Sequence, residues 1–109
     1  MNTNTSNILP PKLQSLYKNI ETLNPKDFSI RKKINIFIAK NLENETTLIF
    51  QINQKSRFLQ KDAEKIEEIL SIILEKIQQK VTKKTIIIDS PLCSKAKLKL
   101  EEKDWLVLV

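Results

Sequence analysis

The sequence predicts an α+β domain of element order αββαβαβ, in which a small, mostly antiparallel sheet packs against one long helix. Three observations carry that expectation. First, the stretch from Ser56 to Val81 places Phe58, Ala63, Ile66, Ile69, Leu70, Ile73, Ile77 and Val81 at three- and four-residue steps, the spacing of a helix with one apolar face. Second, two runs of period-two hydrophobicity come before it and a β-branched run comes after it, so the helix has a sheet to lie on. Third, 109 residues with 40% apolar content suit one compact domain, and an aromatic share of 6% makes its core aliphatic. Phe37, Phe50, Phe58 and Trp105 are its candidate large anchors.

Taken in order, residues 1–8 combine a terminus with a Thr/Asn/Ser run that can bury little, so a disordered tail is expected there, with a single domain over 9–109. Pro10 and Pro11 open a short helix whose stripe is Leu13, Leu16, Tyr17, Ile20 and Leu23. Asn24-Pro25 ends it, because the residue before a proline is pushed away from helical angles. Lys26 to Ser29 then reads as a loop or one helical turn.

From Arg31 the period becomes two. Ile34, Ile36 and Ile38 point one way, and Asn35, Phe37 and Ala39 the other. Thr46 to Asn53 alternates again with Leu48, Phe50 and Ile52 on the buried side, so the two runs form an antiparallel hairpin. Its loop lacks glycine, which leaves Asn41 or Asn44 to take a left-handed conformation. The long helix follows with Ser56 as its N-cap. Thr85 to Asp89 is the next strand. Ser90-Pro91 is a specific helix start that puts Leu92, Cys93, Ala96 and Leu100 on one face. Lys95, Lys97 and Lys99 also alternate with Ala96, Leu98 and Leu100, so a strand hairpinned to Trp105–Val109 is the alternative; the start signal favours the helix.

The chemistry available is limited. The chain has no histidine and no glycine, which removes the side chain that titrates near neutrality and the phosphate loops whose backbone must pass close to a ligand. One cysteine, no histidine and no Asp-rich loop leave no metal site to expect, and no cofactor. Glu67-Glu68 and Glu101-Glu102 read as solvated faces. No run approaches a membrane span, and the polar N-terminus carries no targeting signal, so a cytoplasmic protein that keeps clear of membranes is expected.

Nineteen Lys and Arg against thirteen Asp and Glu give a net charge of +6, which favours acidic partners. Arg31, Lys32 and Lys33 open the first strand of the hairpin, while Lys55, Arg57 and Lys61 flank the start of the long helix. Positive side chains and free backbone N–H groups would there converge on one corner that accepts anions, with phosphate the obvious guest. Nucleic acid is the partner this predicts, through those six residues. An apolar terminal strand, Trp105 to Val109, could also pair two copies if left unpaired.

Two resemblances add to this reading. Asp89-Ser90-Pro91-Leu92-Cys93-Ser94-Lys95-Ala96-Lys97 resembles the active-site stretch of glutaredoxins, where a strand leads into Cys-x-x-Cys and a helix with an Ala-Lys pair. Ser90 stands at the first cysteine and Cys93 at the second, so the resemblance implies a thiol-dependent protein without the usual nucleophile. Thr46 to Ile88 is similar to the core of the DciA-type replicative-helicase operators, a KH-like plan: Leu48, Phe50 and Ile52 match the strand, Ser56 and Leu59 the helix start, and Ile66, Leu70 and Ile73 the helix face. That resemblance implies a non-enzymatic adaptor contacting the replicative helicase and DNA.

Overall fold

A computed structural model describes residues 9–109, the side chain of Lys12 apart; the tail expected over residues 1–8 lies outside the described residues. The α+β class holds, with a small sheet packed on one long helix. The five strands are ordered β1-β2-β3-β4-β5 and are β1 (Tyr17–Leu23), β2 (Asn35–Asn41), β3 (Thr46–Asn53), β4 (Lys83–Asp89) and β5 (Trp105–Leu108). Pairing is antiparallel for β1–β2 and β2–β3 but parallel for β3–β4 and β4–β5. The sheet is therefore mixed where a mostly antiparallel one was expected. Parallel pairing follows from the connections, since a helix carries the chain back across the sheet between β3 and β4, and again between β4 and β5.

The first element is a correction. Only α1 (Pro11–Gln14) is helical, and the rest of the expected helix is β1. Leu16 and Ile20 are 44% and 37% exposed, so the three- and four-residue spacing marks no buried stripe. Asn19 takes φ 55°, and the β1–β2 register shifts between Lys18 and Glu21, a bulge hosted by a residue type that tolerates the left-handed region. The backbone of β2 gains a hydrogen-bonded neighbour, and that tertiary demand overrides a weak local pattern. One 3-10 turn at Pro25–Phe28 follows, with the Asn24 side chain accepting from the Lys26 N–H at 3.0 Å.

The β2–β3 hairpin forms as expected, and Asn44 is the residue with positive φ, at 64°. Asn41 holds the loop: its Oδ1 accepts from the N–H groups of Glu43 and Glu45 at 3.0 and 2.8 Å.

The long helix, α2 (Gln60–Lys76), is shorter than Ser56–Val81 at both ends. At its start the backbone is committed elsewhere: the Phe58 N–H donates to the Pro91 carbonyl at 2.8 Å and the Cys93 N–H donates to the Phe58 carbonyl at 3.0 Å. Helical winding begins only after this bridge, with Leu59 as N-cap and the Asp62 carboxylate accepting its N–H at 2.8 Å. At the far end Ile77 is extended. The tail resolves as α3 (Ser94–Glu102) followed by β5, so the helix is present but starts at Ser94 with Cys93 as N-cap and not at Ser90-Pro91, whose neighbour Leu92 is held in a bridge to Phe58.

Apolar contacts occupy both faces of the sheet. On one, Ile36, Ile38, Leu48, Phe50, Ile86 and Ile88 pack beneath α2 and α3, and the Phe50 and Trp105 rings lie 5.2 Å apart. On the other, Phe37, Ala39, Ile49 and Ile87 are covered by Leu9 and Leu13. The Trp105 indole N–H donates to the Glu67 carboxylate at 2.5 Å, so Glu67 ties β5 to α2 where a solvated face was expected. β5 is an edge of the sheet, with Leu106 55% exposed.

Candidate nucleic-acid interface

The topology gathers chain segments at one end of the sheet. Because β3, β4 and β5 run parallel and β2 runs against β3, the carboxyl ends of those three lie level with the amino end of β2. Open α/β sheets offer ligand sites where strands end this way and helices begin. Arg31, Lys32 and Lys33 lead into β2 there, and Lys55 and Arg57 leave β3 there. Lys61 sits in the first turn of α2 at the same end. All are exposed except Lys32, which is half-buried, and among the described residues none of the six is held in an ion pair. Cations gathered at one end of a sheet favour an anionic ligand there.

All six therefore lie at one end of the sheet, though Lys55 and Arg57 precede α2 and do not belong to it. Lys80, Lys83 and Lys84 lie at the opposite end of the sheet. There Lys84 Nζ donates to the Lys103 carbonyl at 2.6 Å and sits 5.2 Å from the Trp105 ring centroid, which gives it a structural role.

The same rim holds Cys93, half-buried and the N-cap of α3. The nearby backbone N–H groups of Ala96 and Lys95 hold its thiol below the ordinary value of 9.0, although the Cys93 side chain makes no capping hydrogen bond of ordinary geometry. Desolvation works against them, and the charges of Arg57 and then Lys95 add to the lowering. The residue also packs against the core, as its grouping with Leu92, Ala96 and Leu100 predicts.

Sequence reasoning missed a further group. On the face opposite α2, Asn35 is in register with Gln51, and Asn53 with Asp89. The Asn35 amide donates to Gln51 Oε1 at 3.1 Å. The sequence carries only the change of polarity within each strand, since these residues share the strand phase of Phe37, Ile49 and Ile87; strand register alone brings them side by side at two adjoining steps. Among the described residues no group of three or more Cys, Asp or Glu side chains could hold a metal ion. No described helix is long and apolar enough to cross a membrane.

No family model matches the chain, and no curated protein matches it. Among solved structures, the apo form of EndoMS is similar, with a TM-score of 0.55 and 17% identity over 96% of this chain. The match covers 40% of the EndoMS chain, so the domain spans well under half of that protein's length. The likeness is one of fold, and it lends no support to the DciA-type resemblance. The expectation of a non-enzymatic chain does not stand against this neighbour, and the likeness, being one of fold, assigns the chain no activity.

Proposed function

We propose that this domain binds nucleic acid through the rim at the carboxyl ends of its parallel strands, with Arg31, Lys32, Lys33, Lys55, Arg57 and Lys61 contacting phosphates. One observation carries the reading. Cations from two loops separated by a whole hairpin lie at one sheet end, none of them in an ion pair among the described residues, where α2 also begins. A fold shared with a DNA-processing enzyme supports the same partner class.

Salt titration of the affinity for single- and double-stranded DNA tests this. Each phosphate contact contributes roughly 0.7–0.9 to the log–log slope, so the Lys55→Ala/Arg57→Ala variant should bind more weakly and flatten the slope by about 1.4–1.8. Affinity that ignores salt, or a variant that binds like the parent, contradicts the proposal.

A second reading is a thiol-dependent activity at Cys93, favoured by the lowered thiol at the start of α3 beside Arg57. Its test is the rate of alkylation against pH. Labelling that rises only at or above the ordinary thiol range, or no labelling of the folded protein, removes it.

A further inference from the structure

We propose that Asn35, Gln51, Asn53 and Asp89 form a base-reading row, which hydrogen-bonds the edges of unpaired nucleobases in the strand held by the basic rim. This rests on the phosphate-binding reading above and adds a ligand class to it.

The row is built by strand register. Gln51 pairs with Asn35 on β2, Asn53 pairs with Asp89 on β4, and alternation along β3 keeps Gln51 and Asn53 on one face. Asparagine is disfavoured in strands, and the neighbours on this face are apolar: Ile87 on β4 stands beside Gln51, and Phe37 and Ile49 lie one step further along β2 and β3. β2 and β3 thus turn polar at the Gln51 step, and β3 and β4 at the adjoining Asn53 step. With strands ~4.8 Å apart and side chains of one face ~6.8 Å apart along a strand, the patch spans roughly 10 by 7 Å, the scale of one or two nucleobases.

Its hydrogen-bonding capacity is mixed. The Asn35–Gln51 bond at 3.1 Å uses the Gln51 carbonyl and so turns its NH2 into the available group. The exposed Asn53 amide and Asp89 carboxylate have no hydrogen-bond partner among the described residues. An amide supplies donor and acceptor side by side, which matches adenine, and a carboxylate accepts from the amino group of cytosine. A row carrying one negative charge would repel phosphate, whereas Arg31, Lys33, Lys55 and Arg57 beside it attract phosphate. Cations hold the backbone and the row meets the bases. Three strands abreast make a face too broad for a groove that admits a two-stranded ribbon, so the bases read here are unpaired.

The experiment compares binding of short homopolymeric oligo(dA), oligo(dC) and oligo(dT) to the whole chain at one salt concentration, for the parent and for Asn53→Ala and Asp89→Ala. Both substituted side chains are exposed, so folding is retained, which circular dichroism verifies. The parent should prefer oligo(dA) or oligo(dC) over oligo(dT) by about 5- to 100-fold, in line with the discrimination of a good bidentate contact. Each variant should shrink that ratio at least fivefold with the salt slope unchanged. Equal affinity for the three oligonucleotides, with salt-dependent binding intact, overturns the base-reading row and leaves the rim standing. A uniform rise in affinity on Asp89→Ala, with the ratios kept, also overturns it, because Asp89 would then act by charge alone. Absence of any binding would instead sink the phosphate-binding reading.

Discussion

Cys93 and Arg57 are brought together by the two backbone hydrogen bonds that join Phe58 to Pro91 and Cys93, so a thiol and a guanidinium far apart in sequence share one rim. Because the leading causes of the lowered thiol are the Ala96 and Lys95 N–H groups, Arg57→Ala should raise the pH midpoint of alkylation only in part. A thiol lowered in the folded state makes stability rise with pH. Relative to Cys93→Ser, that contribution is complete above the ordinary value near 9.0 and is lost as pH falls through the lowered one. Urea titrations of both proteins on either side of that range check the sign. At the same scale, Trp105→Phe removes the indole donor to Glu67 and should cost about 1–2 kcal/mol, read from the urea midpoint.

The second β-type run, the hairpin and the long helix were legible because their periodicity coincides with burial. Ile66, Ile69 and Ile73 on α2, and Leu48, Phe50 and Ile52 on β3, are all buried as their spacing requires. Ile66→Ala should accordingly destabilise the fold by roughly 2–5 kcal/mol in urea unfolding, whereas Glu75→Ala on the exposed side should stay within about 0.5 kcal/mol. β1 was not legible, since Leu13, Leu16, Ile20 and Leu23 mimic a helical stripe while their fate is decided by pairing with β2. The start of α2 was misplaced for a similar reason. Ser56 is a good capping residue, but Phe58 is held by Pro91 and Cys93 from another part of the chain, and local chemistry carries no trace of that contact.

For the whole molecule, the outcome depends on chain direction. A mixed sheet with β3, β4 and β5 parallel collects loop residues 31–33 and 55–57 and the starts of α2 and α3 at one end, and sends Lys80, Lys83 and Lys84 to the other. The six cations of the interface were readable as clusters because each sits at an element boundary. The row of Asn35, Gln51, Asn53 and Asp89 was not, because its members come together only through the register of three strands. Partition of charge between two ends also makes the binding prediction directional, so removing Lys80 and Lys83 should leave affinity within about twofold of the parent.

Backbone amide shifts, followed by NMR as a single-stranded oligonucleotide is added to the whole chain, locate the contact directly. The perturbed resonances should fall at Arg31–Lys33, at Lys55–Arg57 and at the first turns of α2 and α3, with residues 80–84 unmoved. Perturbations confined to residues 80–84, or none at an oligonucleotide concentration that saturates salt-dependent binding, would contradict a phosphate-binding rim at the carboxyl ends of the strands.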